Sequence, residues 1–336
     1  MATRIAVMGA TGYTALELLK LLVRHPHAEI VALTTRQEGR PHVGEVHPEL
    51  RGRLDLHLQT LDVNWLADNA EFVFSCLPHA ASAECVKPLV DRGVKVVDFS
   101  ADYRLQDVET YEKWYGVNHV DPDRLGNVAY GLPEIFRQQI VGAGLVANPG
   151  CYPTSAILPL VPLVKHGIIA AKDVIVDSKS GVTGAGRTPK LPFHYPECNE
   201  SIKAYGVGTH RHAPEIAQFL TMRDLAAEVI FTPHLVPMNR GILSTCYATP
   251  IGENTAADAM QVLEQCYASE PFIRVIGQLP ETRAVRNTNF VDLHVAQSGE
   301  RLVVLSCLDN LIKGASGAAV QNFNLMCGYE ETTALL

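Results

Sequence analysis

The feature that most constrains the fold is an apolar run that enters a glycine-rich turn and continues into an amphipathic segment. Residues 4–8 predict a strand, and the spacing of Leu16, Leu19 and Leu22 predicts a helix. The turn between them is Gly9-Ala10-Thr11-Gly12-Tyr13. This order is typical of dinucleotide-binding domains, in which a helix N-terminus meets the pyrophosphate. The spacing is G-x-x-G-x-x-A rather than G-x-G-x-x-G, and such a turn can also be purely structural.

The same alternation continues through the first half of the chain. Residues 30–33, 72–77 and 94–99 predict further strands, with a helix ending near residue 90, while the polar residues 39–61 form a long excursion. Strands that alternate with helices indicate a parallel, doubly wound α/β sheet. Ligands of such sheets lie beyond the carboxyl ends of the strands, so we expect Leu77 and Pro78 close to the cofactor.

The end of the second strand indicates which cofactor binds. A site selective for NAD carries Asp or Glu there, whereas this chain has Thr34-Thr35-Arg36. Hydroxyls and a guanidinium suit a 2′-phosphate, which predicts NADP with contacts from Thr35 and Arg36. The alternative is that Arg36 is a solvated loop charge.

A candidate nucleophile lies in the segment Asn148-Pro149-Gly150-Cys151-Tyr152-Pro153. An apolar run precedes Cys151 and helical apolar spacing follows it, which predicts a strand-to-helix turn. A helix N-terminus favours the thiolate form of a cysteine. The alternative for Cys151 is an inert buried side chain, the commoner state of a single cysteine.

Two histidines mark another candidate helix start, in Thr209-His210-Arg211-His212-Ala213-Pro214-Glu215. A thiol nucleophile needs a proton donor, so His210 and His212 are candidate acid–base groups. Arg104 follows a predicted strand and suits a phosphate or carboxylate, with a surface ion pair to Asp102 as the alternative.

The second half of the chain has a different pattern. Residues 173–177 predict a strand, and residues 178–187 predict a glycine-rich loop that lets backbone approach a ligand. Val291, Leu293 and Val295 alternate with polar residues, which predicts a half-solvated antiparallel sheet. The further predictions are strands at 228–232, 243–249, 290–296 and 302–308, and helices at 254–268 and 310–327.

Composition limits the function classes. At 336 residues the chain can form two domains. Its net charge of −8, without a basic run, argues against nucleic-acid binding, and no apolar run has the length of a membrane span. Eight cysteines without CxxC or zinc-type spacing predict reduced thiols and no metal site. The N-terminus lacks a signal-peptide pattern, so we expect a cytoplasmic protein.

Long motifs follow one another along essentially the whole chain. They are residues 9–13 (GATGY), 98–104 (DFSADYR), 111–116 (YEKWYG), 130–134 (YGLPE), 148–154 (NPGCYPT), 180–187 (SGVTGAGR), 210–216 (HRHAPEI), 231–235 (FTPHL), 239–243 (NRGIL) and 309–315 (DNLIKGA). In these motifs the chain resembles the N-acetyl-gamma-glutamyl-phosphate reductases, NADPH-dependent enzymes of arginine biosynthesis, and more distantly the aspartate-semialdehyde dehydrogenases. One departure is Thr14-Ala15, where relatives often carry Ala-Gly.

The resemblance implies a two-domain α/β protein. A Rossmann NADP-binding domain would comprise residues 1–147 and 310–336, and an α+β catalytic and dimerisation domain of the semialdehyde dehydrogenase type would comprise residues 148–309. It also implies a homo-oligomer, either a dimer or a tetramer, with the mixed sheet at the subunit interface. An internal layer of helices would account for the apolar strands of that sheet equally well.

The resemblance further implies a mechanism. Cys151 attacks an acyl phosphate, phosphate leaves, and NADPH reduces the thioester to a semialdehyde. His212 is slightly preferred to His210 as the proton donor, and Glu215 binds substrate or orients a histidine. The remaining implied residues are Gly9, Thr11, Gly12, Tyr13, Ser180, Gly181, Gly184, Gly186 and Asn310 for the cofactor, and Ser100, Arg104, Asn148 and Arg187 for the substrate.

Two other functions stay open. The same chemistry could act on an aspartyl or aminoadipyl-type acyl phosphate, although aspartate-semialdehyde dehydrogenases usually have a different cysteine motif and lack HRHAPE. A non-catalytic dinucleotide-binding sensor could also share the fold. The sensor hypothesis predicts that Cys151→Ala behaves like the wild type.

Overall fold

A computed structural model gives the fold and describes residues 2–36, 39–221 and 226–336. The chain divides into two compact units. The first comprises the chain up to Pro149 together with Ala315–Leu336, and the second comprises Gly150–Gly314. These divisions fall slightly after those expected at residues 147 and 309.

The first unit is a parallel sheet with helices between its strands. Its elements before Pro149 are β1 (Thr3–Met8), α1 (Tyr13–Leu22), β2 (Ala28–Thr35), α2 (Val43–Val46), β3 (Gln59–Thr60), α3 (Val63–Asn69), β4 (Phe72–Ser75), α4 (Ala83–Asp91), β5 (Lys95–Asp98), α5 (Val108–Tyr115), β6 (Ala129–Tyr130), α6 (Pro133–Ile140) and β7 (Leu145–Ala147). The strand order is β3-β2-β1-β4-β5-β7-β6. This order confirms the prediction of a doubly wound sheet. From β1 the chain adds β2 and β3 on one side and β4 and β5 on the other, and sheets of this kind bind dinucleotides at this switch point between β1 and β4.

The second unit is built on a mixed sheet. Its elements are α7 (Cys151–Lys165), β8 (Val174–Gly181), α8 (Tyr195–Cys198), β9 (Lys203–Ala204), α9 (His212–Leu220), β10 (Val229–Val236), β11 (Ile242–Ala248), α10 (Ala256–Tyr267), β12 (Ile273–Val275), α11 (Thr282–Val285), β13 (Val291–Ser298) and β14 (Arg301–Leu308). The strand order is β12-β13-β14-β11-β8-β10-β9. A π-helical turn over Ile312–Ser316 then leads to α12 (Gly317–Cys327), which belongs to the first unit.

The two faces of the mixed sheet differ in burial. In β11, Ser244 and Cys246 are fully buried, and α7 packs against this strand. Leu243, Thr245 and Tyr247 alternate with them and are only half-buried.

The alternation predicted for β13 is confirmed for the buried Val291, Leu293 and Val295 and the half-buried His294, because successive side chains of a strand point to opposite faces. Asp292, expected on the solvated side, is instead buried at 3% exposure, where it accepts a hydrogen bond from Arg274.

Two further predictions for the second half need correction. Residues 178–181, expected in a flexible loop, are the last four residues of β8. Polar side chains can line this strand because their hydroxyls satisfy each other: Ser178 Oγ lies 2.6 Å from Ser244 Oγ, which lies 2.7 Å from Ser155 Oγ. The final helix was expected from residue 310, whereas the α-helix begins only at Gly317, after the π-helical turn.

Within residues 2–36, 39–221 and 226–336, no helix combines the length and the apolar character that a bilayer span requires. In the same described ranges no three histidine, cysteine or carboxylate side chains are grouped as metal ligands.

Candidate active site

The turn after β1 has the backbone that a pyrophosphate site needs. Gly9 has φ +74°, and a Cβ added to it would lie 2.7 Å from the Cys76 carbonyl oxygen, so only glycine fits. Gly12 is the N-cap of α1 and has no side chain to bond the amides of the first helical turn. The buried Thr34 hydroxyl nearby in β2 has no hydrogen-bond partner among the described residues. Uncapped helix amides and close backbone approach fit the phosphates of a dinucleotide.

Four further residues that were predicted to bind or approach the cofactor lie at the same edge of this sheet. Thr35 is the last residue of β2, and the exposed Arg36 follows it directly. Burial raises the pKa of Cys85, and the positive charge of Arg36 opposes that shift, which indicates that the two side chains are near each other. Leu77 and Pro78 follow β4, which pairs with β1.

Cys151 lies at the predicted strand-to-helix turn. Strand β7 ends at Ala147, Gly150 is the N-cap of α7, and Cys151 is the first residue of that helix. The backbone approaches closely here, since a Cβ added to Gly314 would lie 2.9 Å from the Cys151 Cβ. The thiol therefore sits at the positive end of a helix whose length is almost entirely buried.

Glu215 holds the turn in front of the nucleophile. Its side chain is 1% exposed, and its Oε1 accepts the Gly150 N–H at 2.9 Å. A buried carboxylate on an N-cap amide is a charge-assisted hydrogen bond, which fixes the backbone more firmly than a neutral one. This contact was missed by sequence reasoning, which expected Glu215 to meet substrate or a histidine.

His210 and His212 lie together, but their surroundings differ. The His210 ring centroid is 5.7 Å from that of Tyr152 and 5.5 Å from that of Tyr205. Its Nδ1 accepts the backbone N–H of His212 at 3.2 Å, so a neutral His210 carries its proton on Nε2. Burial, assisted by the positive charge of Arg211, lowers the pKa of His210 to about 4. His210 is therefore an uncharged ring at neutral pH.

A pair of phenols lies beside the thiol and was not anticipated from the sequence. The Tyr205 hydroxyl donates to the Tyr152 hydroxyl at 3.0 Å, which donates to the His234 carbonyl at 3.3 Å. Burial raises the pKa of Tyr152, and the charges of Tyr205 and Cys151 act in the same direction. The spacing of these tyrosines in the sequence gives no sign that they meet.

Arg104 and Asn148, both expected to bind substrate, are buried and bonded within the first unit. The Arg104 guanidinium donates to the Asn148 carbonyl at 2.7 Å and to the Phe99 carbonyl at 2.6 Å. The Asn148 side chain is 0% exposed and donates to the Ala315 carbonyl at 3.0 Å. These bonds shape the segment that precedes Cys151.

Ser100 belongs to a buried acidic network. Its hydroxyl donates to Asp98 at 2.6 Å, and Ser82 donates to the same carboxylate at 2.7 Å. Burial, followed by the charge of Asp102, raises the pKa of Asp98 to about 6. Asp102 accepts the Tyr111 hydroxyl at 2.9 Å and the amides at the start of α4, so it is not part of a surface ion pair.

The glycine-rich segment of the second unit brings several predicted cofactor residues together. Asn310 accepts the Gly241 N–H at 2.8 Å and donates to the Thr183 hydroxyl at 3.0 Å. A Cβ on Gly184 would lie 3.1 Å from Ser180 Oγ and 3.7 Å from Asn310 Nδ2. The same segment carries the remaining predicted residues, Gly181, Gly186 and the exposed Arg187.

Both units match known protein families. Residues 4–143 match the semialdehyde dehydrogenase NAD binding domain, and residues 151–310 match the semialdehyde dehydrogenase dimerisation domain. Solved structures have the same fold. The chain superposes on aspartate semialdehyde dehydrogenase II of Vibrio cholerae complexed with ASA, with a TM-score of 0.73 at 16% identity over 98% of this chain and 99% of that one. For the aspartate semialdehyde dehydrogenase of Candida albicans with NADP, the TM-score is 0.70 at 17% identity over 97% and 99%.

Two proteins with much higher sequence identity to this chain are both named N-acetyl-gamma-glutamyl-phosphate reductase. The chain is 54% identical to the N-acetyl-gamma-glutamyl-phosphate reductase of Rhodopirellula baltica over 99% of this chain and 98% of that protein. It is 47% identical to the reductase of the same name from Desulforudis audaxviator, with the same coverage of 99% and 98%. The chain therefore belongs to the N-acetyl-gamma-glutamyl-phosphate reductase family.

Proposed function

We propose that this protein reduces N-acetyl-gamma-glutamyl phosphate to N-acetylglutamate 5-semialdehyde with release of phosphate, as a step of arginine biosynthesis. The observation that carries the proposal is the position of Cys151 as the first residue of α7, in a chain 54% identical to a reductase of that name. A thiol at a helix N-terminus is the nucleophile that an acyl phosphate requires.

The chemistry begins at the Cys151 sulfur. His212 takes the thiol proton, the thiolate attacks the acyl carbon, and the carbon–oxygen bond to phosphate breaks to leave a thioester. His212 passes its proton to the departing phosphate oxygen. The thioester carbonyl would be reduced by hydride, the chemistry that NADPH would supply when held by the residues proposed below. The resulting alkoxide expels Cys151 as thiolate, the aldehyde leaves, and solvent returns a proton to the sulfur.

The two histidines take separate roles in this proposal. His210 stays neutral because its pKa is about 4, so it does not supply an imidazolium to the thiolate. Its Nε2–H remains available as a hydrogen-bond donor, which suits an oxygen that gains negative charge. His212, the first residue of α9, is then the acid–base group.

Residues of both glycine-rich segments, 9–13 and 180–187, are proposed to bind NADP. The Gly9 to Tyr13 turn, with Thr11 and Gly12, would bind the pyrophosphate, and Thr35 and Arg36 would bind the 2′-phosphate. An exposed arginine directly after β2 supports NADP over NAD. Leu77 and Pro78 would also lie close to the cofactor. The residues proposed for the nicotinamide half are Ser180, Gly181, Gly184, Gly186 and Asn310.

The carboxylate or phosphate of the substrate is proposed to contact the exposed Arg187 rather than the buried Arg104. Arg187 is exposed at the end of the glycine-rich segment, and its guanidinium suits a carboxylate or phosphate. Arg104, Ser100 and Asn148 are proposed to act on the substrate through the backbone that they hold.

The half-buried face of the mixed sheet is proposed as a homodimer interface. The dimerisation domain match covers this sheet, and Leu243, Tyr247 and Leu305 lie on the face opposite the packed helices. On the same face Asp177 pairs with Lys179 at 2.7 Å and with His234 at 3.1 Å. Apolar side chains around a paired charge cluster are typical of an interface core with polar contacts.

The test is the reverse reaction of the purified protein. NADP reduction is followed with phosphate and either N-acetylglutamate semialdehyde or aspartate semialdehyde. We expect turnover of the acetylated substrate, loss of turnover in Cys151→Ala, and normal turnover in the control Cys266→Ala, whose thiol lies in α10. Turnover of aspartate semialdehyde alone would change the assigned substrate. A Cys151→Ala protein that keeps full turnover would refute the mechanism.

A further inference from the structure

A buried histidine braces the glycine-rich turn from outside it. His47 is 1% exposed and lies in the polar excursion between β2 and β3. Its Nε2 lies 2.8 Å from the carbonyl oxygen of Ala10, inside the turn. Because a carbonyl only accepts hydrogen bonds, the imidazole is the donor and Nε2 carries the proton. The contact joins residues 37 positions apart in the chain.

The bond from His47 sets the direction of one peptide in the turn. The Ala10 N–H is fixed separately, since it donates to the Thr34 carbonyl at 2.9 Å. In a planar trans peptide the C=O and the following N–H point in opposite directions. A carbonyl directed at His47 therefore directs the Thr11 N–H away from His47. Ala10 is thus held on both sides, and the orientation of the next amide follows.

The excursion is built to hold this histidine in place. Val43, Leu50 and Leu58 are all 0% exposed and give the segment a small apolar core of its own. The His47 N–H donates to the Val43 carbonyl at 2.8 Å, and its carbonyl accepts the Leu50 N–H at 3.0 Å. His47 is also the N-cap of the short 3₁₀ helix Pro48–Leu50. A segment with a buried core and fixed ends places a side chain more accurately than a solvated loop does.

We infer that His47 is a positioning residue for the pyrophosphate of the dinucleotide, acting through the Ala10–Thr11 peptide. It does not touch the cofactor in this role. It keeps an amide N–H of the turn directed toward the phosphate site before the cofactor binds. Binding therefore does not lose conformational entropy by ordering this peptide. The inference rests on the dinucleotide site described above and adds a residue outside the glycine motif to it.

The test compares His47→Ala and His47→Gln with the matched control His57→Ala, which removes an exposed histidine of the same excursion. Dissociation constants are measured without turnover, by the fluorescence of bound NADPH and by calorimetry with 2′-AMP, which lacks a pyrophosphate. Unfolding temperatures without ligand report whether each variant is folded. The wild type serves as the reference for both ligands.

We expect His47→Ala to weaken NADPH binding about five- to tenfold, the usual effect of losing one buried hydrogen bond, with 2′-AMP affinity unchanged. His47→Gln, which can place a side-chain N–H near the same carbonyl, should recover most of the loss, and it carries the test if His47→Ala is unfolded. Equal NADPH affinity in folded His47→Ala and wild type would overturn the inference, and so would equal losses for the two ligands. A wild type that binds no NADPH would refute the proposed function instead.

Discussion

Replacing His210 with asparagine should make the protein more resistant to acid. In the folded chain burial lowers the pKa of His210 from 6.5 to about 4. As the pH falls through about 6.5 the unfolded chain takes up a proton, whereas the folded chain does so only near pH 4. The free energy of unfolding of the wild type therefore falls across this window. A separation of roughly 2.5 pKa units corresponds to a loss of about 3 kcal/mol once the pH is below about 4.

Asparagine is the matched replacement because its side-chain oxygen can accept the His212 N–H that His210 Nδ1 accepts at 3.2 Å. Urea unfolding is measured for both proteins from about pH 8 to about pH 5. Above about pH 7 the difference between the two unfolding free energies should be constant. By about pH 5 the wild type should have lost about 2 kcal/mol more than the variant.

If the unfolding free energies of the wild type and His210→Asn stayed parallel down to pH 5, His210 would not be a buried neutral histidine. It could then be the acid–base group after all. The pH dependence of kcat/KM gives an independent readout of the same assignment. His210→Asn should leave the acidic limb in place, because a group that is already neutral does not titrate there. His212→Asn should remove that limb together with most of the activity.

Three further substitutions test other parts of the reasoning. Arg36→Ala should weaken NADPH binding about tenfold or more and leave NADH nearly unchanged, because only NADPH carries the 2′-phosphate; equal losses measured by calorimetry would contradict this. Gly9→Ala should lower both the unfolding temperature and the NADPH affinity more than Gly52→Ala does. Both glycines have φ above +70°, but of the two only Gly9 would place a new Cβ within 3 Å of backbone atoms. Leu305→Asp on the open face of the mixed sheet should shift the protein toward monomer in sedimentation experiments, whereas Leu279→Asp, on an exposed leucine elsewhere, should not.

The fold was predictable where periodicity was strong. The strand expected at residues 4–8 is Thr3–Met8, and the helix expected at 254–268 is Ala256–Tyr267. The error at residues 178–181 has a physical cause, since serines were interpreted as loop residues although partners on other elements bury and satisfy them. The excursion at 39–61 is polar in composition, yet a few scattered apolar residues form a small core in it. This core could not be predicted, because its residues follow no helical or strand periodicity.

The candidate site was predictable only in part. The position of Cys151 between a strand and a helix was predictable because strand, glycine and helix signals are adjacent in the sequence. The contact between Tyr205 and Tyr152 joins residues 53 positions apart, and that between Glu215 and Gly150 joins residues 65 apart. Such pairings depend on the packing of α9 and β9 against other elements, which a single sequence does not encode in any local pattern.

Burial distinguishes the side chains that hold the backbone of the turns from the side chains that reach solvent. Glu215, Arg104 and His47 are 1%, 6% and 1% exposed, and each bonds a backbone group of a functional turn: the Gly150 N–H, the Asn148 carbonyl and the Ala10 carbonyl. From the sequence, charged or imidazole side chains in or near the motifs are natural candidates for ligand contact. Backbone amides and carbonyls have no sequence signature of their own, so the hydrogen bonds that these side chains make to them were not predictable from the sequence. Residues that only hold a turn should tolerate a replacement that keeps the same hydrogen bond, whereas exposed cations such as Arg36 and Arg187 should not tolerate the loss of charge.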